Sequence, residues 1–133
     1  MTDAAAFIRS LYAAFGEGDV RKILDNLDPA VEWRSNGDSK TIPWGGRRDG
    51  VAGAASFFQA LADNLDFEVF EPGEFHAAGD TVTVLGRTRA RNKKAGRGVF
   101  DCAWAHVFTV RNGKLARFLE FYDTAAIEHA LAV

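Results

Sequence analysis

The stretch AWAHVFTVRNGKLARFLEFYD, residues 103–123, decides how this chain folds. Alternating apolar residues flank a turn sequence, RNG at 111–113, so the stretch reads as two strands of a β-hairpin. A two-residue Asn-Gly turn and a three-residue Arg-Asn-Gly loop would give registers that differ by one residue. We favour the three-residue loop, which sets Trp104 opposite Glu120 in the partner strand.

Both strands direct one mixed face toward the interior, and in the favoured register His106 lies opposite Phe118 on that face. A carboxylate among aromatic neighbours is costly to bury without a partner, because desolvation penalises its charged form. A cavity that holds water or a ligand would relieve the cost and use the perturbed group. The pattern therefore predicts a pocket rather than a solid core. The shared face carries Trp104, His106, Phe108, Phe118, Glu120 and Tyr122.

Three segments upstream of this hairpin show apolar residues at helical spacing. Thr2 or Asp3 can cap the first, Asp19 caps the second, which stops at Pro29, and Asp49 caps the third. The buried stripes are Ile8, Leu11, Tyr12 and Phe15 in the first, Val20, Ile23, Leu24 and Leu27 in the second, and Ala54, Phe57, Phe58, Leu61 and Leu65 in the third.

The apolar period becomes strand-like after the third helix. One short strand, 30–34, precedes that helix, and a loop over 35–50 carries Trp44. Residues 67–77 read as an edge strand bent at Pro72-Gly73, followed by strands over 81–91, 99–110 and 114–123 and a short last helix. Hairpin-linked strands with helices gathered on one face predict an α+β fold with a twisted antiparallel sheet.

Length and composition bound the possible classes. A chain of 133 residues fits one domain, 1–133, with 47% hydrophobic residues, enough for a substantial core. The formal charge of -2 gives no reason to expect a nucleic acid partner. The single cysteine, Cys102, excludes an internal disulfide framework and suits a reducing compartment. Without a signal-peptide pattern or a membrane-spanning apolar run, we expect a cytoplasmic protein that does not bind membranes.

The chain offers no pattern for a metal or a nucleotide. His76, His106 and His129 lack metal-ligand spacing, and no glycine-rich phosphate loop follows a strand, so we expect no metal and no cofactor. A run of basic residues is interpreted as a solvated strand end and loop rather than an anion site. It comprises Arg87, Arg89, Arg91, Lys93, Lys94 and Arg97.

Three segments carry a family resemblance: LYAAFGEGDVRKILDNLDPAVEW at the start, the W-G-G before the third helix, and WAHVFTVRNGKLARFLEFYDTAA at the end. With them the whole chain resembles the SnoaL-like polyketide cyclase and ketosteroid-isomerase-like group of the nuclear-transport-factor-2-like (NTF2-like) superfamily. The resemblance implies a curved sheet wrapped around three helices, a cystatin-like cone with an apolar pocket. It also implies a homodimer formed through the sheet. The fold hosts isomerases, cyclases, epoxide hydrolases and binding modules, so it assigns no reaction.

The catalytic residues of the enzymes that the chain resembles are only partly present in it. Where relatives similar to ketosteroid isomerase hold their carboxylate base, this chain has Trp33, while His106 matches their hydrogen-bond donor. Against the limonene epoxide hydrolase pattern, Arg87 falls at the arginine position and Glu120 at one acid position. The second acid position holds Arg89. The SnoaL-like cyclases imply only cofactor-independent acid-base chemistry in the pocket.

Each candidate residue has a structural alternative. Glu120 is a general acid or base, or a strand-end carboxylate that reaches solvent or pairs with Arg87. His106 moves a proton or binds a substrate oxygen, or is a core histidine satisfied by Glu120, Tyr12 or a backbone carbonyl. Arg87 would face the pocket only if a bulge at Gly86 changed the alternation. The expected ligand-contacting residues are Tyr12, Trp33, Trp44, Phe57, Phe58, Trp104, Phe108, Phe118 and Tyr122.

Three functions fit these residues. The first is a cofactor-independent isomerase, cyclase or hydrolase acting on an apolar, oxygen-bearing small molecule, with Glu120 moving a proton and His106 stabilising an oxyanion or positioning water. The second is a ligand-binding protein without catalysis. The third is a dimerisation module whose function lies on a sheet face carrying Val82, Val84, Val107 and Thr109.

Overall fold

The chain was analysed as a computed structural model, which describes residues 3–94 and 98–132. The predicted loop residue Arg97 lies outside these ranges, as does Thr2. The elements are α1 (Ala4–Gly16), α2 (Val20–Asp25), β1 (Leu27–Ser35), β2 (Gly46–Arg47), α3 (Gly50–Asn64), β3 (Leu65–Ala78), β4 (Thr81–Asn92), β5 (Val99–Arg111), β6 (Lys114–Tyr122) and α4 (Thr124–Ala132).

The first three helices begin at the aspartates predicted to cap them, but one of these aspartates does not cap its helix with its side chain. Asp3 accepts hydrogen bonds from the backbone of α1, and Asp19 does the same for α2. Asp49 occupies the N-cap position of α3 without a side-chain capping bond. Its carboxylate accepts instead from the Trp33 N–H, 3.0 Å away in β1. The residue thus ties the start of α3 to the sheet.

The second helix is shorter than the sequence pattern indicates. It ends at Asp25, and Leu27, predicted as its last buried residue, begins β1. Pro29 therefore lies inside the strand rather than ending the helix. Pro29 has no N–H to donate, which is tolerated where strand pairing is interrupted. The β1–β6 register shifts between Leu27 and Glu32, around this proline.

Six strands form one curved, unclosed sheet in the order β2-β1-β6-β5-β4-β3. β1 pairs with β6 in parallel, whereas β1–β2, β3–β4, β4–β5 and β5–β6 are antiparallel. β3 lies at the edge, and its pairing shifts between Pro72 and Glu74. The predicted edge strand with a bend at Pro72-Gly73 is confirmed.

The central hairpin adopts a different register from the favoured one. Asn112 and Gly113 both have positive φ, 53° and 73°, so the connection is a two-residue turn of the type that Asn-Gly favours. The predicted three-residue loop is wrong. A register shift between Thr109 and Val110 leaves Ala116 as an extra residue in β6.

This turn and bulge together bring His106 directly opposite Glu120. Trp104 lies opposite Tyr122, not opposite Glu120 as expected, and Phe108 lies opposite Phe118. The shift amounts to two residues, so every side chain keeps its predicted face while its partner changes. The polar pair becomes a direct cross-strand pair.

The core fills the concave side of the sheet. Val82 and Val84 are completely buried there, opposite Phe108 and His106 in β5. The expected outer dimerisation face combining Val82 and Val84 with Val107 and Thr109 is therefore wrong, since alternation places the first two on the inner face.

Candidate functional site

His106 stands at the centre of a buried hydrogen-bonded group. It is 4% exposed, and its Nε2 lies 3.0 Å from Glu120 Oε2 on the neighbouring strand. Its Nδ1 lies 2.7 Å from the hydroxyl of Tyr12, which is a residue of α1. Both ring nitrogens therefore have partners. A histidine is normally tolerated in such an apolar setting only when it is satisfied in this way.

The second carboxylate oxygen of Glu120 also accepts a hydrogen bond. Ser35, at the end of β1, places its Oγ 2.9 Å from Glu120 Oε1. The same hydroxyl lies 2.6 Å from the Tyr122 hydroxyl. The parallel pairing of β1 with β6 sets Ser35 beside Glu120 in the sheet. One continuous chain, Tyr12–His106–Glu120–Ser35–Tyr122, thus crosses the pocket.

The direction of hydrogen bonding around His106 follows from its two partners. The Glu120 carboxylate can only accept, so the single hydrogen of the neutral imidazole sits on Nε2 and is donated to Glu120. Nδ1 is then the acceptor, and Tyr12 donates to it. Burial, with the nearby Glu120 charge as the second cause, raises the pKa of the Tyr12 hydroxyl far above its ordinary value, so the phenol keeps the proton that it donates. We assign this tautomer from the hydrogen-bond partners.

The hydrogen bonds on the other side of Glu120, from Tyr122 through Ser35, also run toward the carboxylate. Burial and then the Glu120 charge raise the pKa of Tyr122 to about 12, outweighing the hydrogen bonds that its hydroxyl makes with Ser35, the Gly37 backbone and the Trp44 side chain. Ser35 gives its one hydroxyl hydrogen to Glu120, so Tyr122 donates to Ser35. Both series of hydrogen bonds end on one carboxylate, which accepts from two neutral donors in an apolar wall.

An apolar cavity adjoins this group. Its volume is about 100 Å³, and a single water molecule needs about 10–15 Å³ on the same measure, so several waters or part of an organic molecule fit. His106 and Glu120 are part of the wall. So are all nine residues expected to contact a ligand: Tyr12, Trp33, Trp44, Phe57, Phe58, Trp104, Phe108, Phe118 and Tyr122.

Aromatic rings hold the polar group in position. The Trp104 indole stacks on the His106 ring with centroids 3.8 Å apart and an interplanar angle of 15°. The Tyr12 ring is also nearly parallel to that of His106, at 12°. Phe118 meets the imidazole edge-on at 5.0 Å. This packing restricts rotation of His106 and fixes its two nitrogens toward Tyr12 and Glu120.

The family model of the SnoaL-like domain matches residues 8–118. The chain belongs to the SnoaL-like domain family. The matched segment includes Tyr12, Ser35 and His106 and ends at Phe118, just before Glu120 in β6. No curated protein matches the sequence.

Solved structures share the fold of this SnoaL-like domain over nearly its whole length. An NTF2-like protein from Burkholderia pseudomallei is 25% identical over all of both chains, with a TM-score of 0.89. Another from Burkholderia xenovorans is 30% identical over 96% of this chain and 95% of that one, with a TM-score of 0.85. TerC, crystallised with polyporic acid, is 27% identical over 98% of each chain, also at 0.85. The superfamily resemblance is confirmed.

Arg87 lies on the convex face of the SnoaL-like domain, away from the cavity. Its guanidinium donates to both carboxylate oxygens of Asp101, at 2.9 and 2.8 Å. The bulge at Gly86 that would have turned Arg87 toward the pocket as a catalytic residue is absent, because β4 pairs with β5 without a register shift there. The irregularity lies on the other side of Gly86, in β3. The Asp101 hydrogen bonds raise the pKa of Arg87 further.

Ser35 is the member of the group that sequence reasoning missed. It continues the inward alternation of Val31 and Trp33 in β1, and it is buried. That alternation could have indicated that Ser35 faces inward. The contact of Ser35 with Glu120 could not be predicted, because it depends on a parallel pairing between the first strand and the last, which no local pattern encodes.

Cys102 and Thr88 lie on the cavity wall, one strand pair along from Trp104. Burial raises the pKa of the Cys102 thiol, which disfavours a thiolate nucleophile. Thr88 accepts a hydrogen bond from the Trp104 indole N–H, at 2.7 Å. Cys102 lies four residues along β5 from His106, about 13 Å at the rise of a strand, so the two do not form a catalytic pair.

Within residues 3–94 and 98–132, no group of three or more His, Cys, Asp or Glu side chains is arranged to hold a metal ion. Helices long and apolar enough to cross a membrane are likewise absent from the described part of the chain.

Proposed function

We propose that this SnoaL-like domain is a cofactor-independent acid-base enzyme acting on a small, apolar, oxygen-bearing molecule bound in the cavity. The observation that carries the proposal is the buried His106–Glu120 pair at the wall of an aromatic cavity. Buried titratable groups that converge on a cleft are typical of catalytic sites. An isomerase or cyclase reaction suits the site best, because a proton that is removed and returned requires no co-reactant.

In the proposed reaction, Glu120 accepts a proton from the substrate and returns it at another atom. His106 does not contact the reacting oxygen, since Tyr12 and Glu120 occupy both its nitrogens. It therefore acts as a positioning residue, and the oxyanion role expected for it passes to a phenol. Tyr12 and Tyr122 both line the cavity and keep their protons, so either hydroxyl can rotate to donate to a substrate oxygen.

The relative TerC supports an oxygen-bearing ligand, since it was crystallised with polyporic acid. Binding without catalysis is the second candidate, and the same relative supports it. In that case the polar chain only orients the ligand, and the bound molecule is recovered unchanged. Polyporic acid, hydrophobic ketones, epoxides and phenols form a suitable panel for both.

The test is turnover by the Glu120→Gln variant. For a compound that the wild-type protein converts, we expect kcat to fall by about 100-fold or more, since general acid-base catalysis contributes about 10²–10⁴. The neutral amide retains the shape of the side chain but cannot take the proton. Glu74→Gln, on an exposed carboxylate of β3 outside the cavity wall, is the matched control and should keep full activity.

Unchanged kcat in Glu120→Gln would contradict the acid-base proposal. Binding of a panel member with no conversion by the wild-type protein would support the second candidate instead. Product analysis of the same samples by mass spectrometry and NMR separates these outcomes, because an isomerised product has the mass of its substrate but different resonances.

We also propose that the domain forms a homodimer through the convex face of the sheet. Leu85 and Phe121 are 42% and 47% exposed there, with Ala105 directly between them in the sheet register. Large apolar side chains aligned across neighbouring strands are a common feature of interfaces. Charged pairs such as Arg87–Asp101 flank this apolar row.

A further inference from the structure

Trp44 contacts the hydrogen-bonded group of the site as well as the cavity. Its side chain is 3% exposed, and its indole nitrogen makes a hydrogen bond with the Tyr122 hydroxyl. An indole nitrogen can only donate, so the Tyr122 oxygen is the acceptor in this contact. The backbone N–H of Gly37 donates to the same oxygen. A residue expected to contact the ligand thus also holds a phenol of the site.

The segment between β1 and β2, residues 36–45, is fixed against β6. Asn36 donates from its backbone to the Glu120 carbonyl oxygen at 3.0 Å, and from its side chain to the Tyr122 carbonyl oxygen at 3.2 Å. Gly37 lies so close to the phenol that a methyl group added there would be 2.7 Å from the hydroxyl oxygen. This segment therefore sets the position of the phenol oxygen.

Two N–H donors determine where the hydrogen of the Tyr122 hydroxyl points. A phenol oxygen carries one hydrogen and has a limited capacity to accept others. With two donors on the oxygen, the hydrogen is directed at the remaining partner, Ser35, 2.6 Å away. Ser35 also has one hydrogen, and the Glu120 carboxylate at 2.9 Å accepts it. Without the indole donor, the Tyr122 oxygen would be open to a hydrogen bond from Ser35, and Glu120 would lose that donor.

We propose that Trp44 is a positioning residue for the carboxylate of Glu120. It acts through two hydroxyls, because its donation to Tyr122 keeps the hydrogen of Ser35 on Glu120. The inference rests on the proposed function, in which Glu120 accepts a proton from the substrate and must be ionised to do so. A hydrogen bond to the charged form of a carboxylate favours that form. Trp44 therefore favours the ionised base from a distance of two residues in the hydrogen-bonded group.

The test follows the side-chain carboxyl carbon of Glu120 by NMR as the pH is lowered, in protein labelled at its glutamates. Glu120→Gln identifies the signal. We expect Ser35→Ala, which removes the last donor, to raise the midpoint of this titration by about one pH unit. Trp44→Phe, which removes the indole N–H, should raise the midpoint by about half as much or more.

Trp33→Phe is the matched control for the loss of volume in Trp44→Phe. Trp33 is equally buried, at 3% exposure, and it lines the same cavity. Its indole N–H has no partner among the described residues, so its removal breaks no hydrogen bond. The midpoint should therefore stay at its wild-type value in Trp33→Phe.

A double variant separates the hydrogen bonds from packing. In the Ser35→Ala background, Trp44→Phe should cause no further rise, because the link to the carboxylate is already broken. The other titratable side chains near Glu120 are unchanged in all of these titration variants: Tyr12, Cys102, His106 and Tyr122.

An unchanged midpoint in Trp44→Phe would overturn the inference, as would an equal rise in Trp33→Phe or an undiminished rise in the Ser35→Ala background. If Trp44→Phe does not fold, Tyr122→Phe tests the same contact from its other side. The indole N–H signal of Trp44 should then move upfield while that of Trp33 stays, and an unmoved Trp44 signal would overturn the inference. No turnover is needed, so Glu120→Gln judges the acid-base role separately.

Discussion

Glu120 is stable in an aromatic wall because each of its carboxylate oxygens accepts a hydrogen bond from a neutral donor. His106 supplies one and Ser35 the other. A carboxylate that accepts several hydrogen bonds keeps its charge at a much lower cost than an unpartnered one. The buried His106–Glu120 pair of the central hairpin is thus explained by a network of mutually satisfied hydrogen bonds. Each member makes burial of the other tolerable.

The phenols predict a specific pH dependence. The folded-state pKa of Tyr122 is raised to about 12, so the neutral phenol is favoured in the folded protein. The corresponding stabilisation is complete below the unfolded pKa of about 10 and is lost as the pH rises toward 12. Spectrophotometric titration should show little tyrosinate at pH 10 in the native protein. In denaturant, both tyrosines should be half ionised there.

The chain has two tyrosines, and burial raises the pKa of each, so the native signal has no exposed tyrosine to obscure it. Tyr122→Phe removes one of them and serves as the control for assignment. Half-ionisation of one tyrosine at pH 10 in the folded protein would show that the Ser35–Tyr122 end of the chain is open to solvent.

For individual residues, the sequence predicted which face of the sheet each side chain occupies but not which residue it contacts. Alternation placed His106 and Glu120 on one inward face, and the nine expected wall residues all line the cavity. Ser35 was missed because its contact is made across β1 and β6, which are far apart in the chain. Side-chain direction is a local property of a strand, whereas pairing between distant strands is not.

Among the elements, the β5–β6 hairpin shows why register was harder to predict than strand position. The Asn112-Gly113 turn is short because both residues adopt left-handed φ, and the extra residue is absorbed at Ala116. Nothing in the local alternation indicates that bulge. The orientation of Arg87 was left open by the sequence for a related reason. A bulge at Gly86 would have turned it inward, but the irregular pairing lies in β3, so β4 keeps its alternation and Arg87 faces outward.

The β4–β5 pair gives a stability prediction at Gly86. Replacing it with alanine would push a methyl group into the Trp104 indole and against the Glu71 carbonyl oxygen, 2.7 Å away. Overpacking of this kind costs about 1–3 kcal/mol. We expect Gly86→Ala to lower the free energy of unfolding in urea by that amount. The near-ultraviolet circular dichroism of the tryptophans should also change.

Gly16→Ala is the matched control, since no atom lies within 4 Å of the added methyl group there and the residue does not require positive φ. It should leave the unfolding free energy nearly unchanged. If Gly86→Ala unfolded at the same urea concentration as the wild-type protein, the Trp104 indole would not abut Gly86 as the structure places it.

For the whole molecule, the exposed apolar row on the convex face predicts association. Light scattering should give the wild-type protein about twice the mass of its 14.5 kDa chain. Phe121→Glu should reduce it to one chain, because the two-fold contact would bury like charges. Val51→Glu, at an exposed residue of α3, is the control and should stay dimeric. A monomeric wild-type protein, or a dimeric Phe121→Glu variant, would contradict the proposed interface.

The overall architecture was the most predictable level. Helical spacing, turn residues and hairpin-linked strands predicted the α+β class, and the resemblance supplied the curved sheet around the helices. The parallel contact between β1 and β6 did not follow from the hairpin pattern. It sets Ser35 beside Glu120, so this non-local pairing also completes the candidate site.

The proposed site depends most on the direction of the hydrogen bonds around His106, which makes Glu120 the common acceptor of His106 and Ser35. Nitrogen NMR of protein labelled at its three histidines tests this directly at neutral pH. The His106→Asn variant identifies the signals. We predict a protonated Nε2 and an unprotonated Nδ1 on His106. A proton on Nδ1 would mean that Tyr12 does not donate to the ring, and would contradict the proposed site.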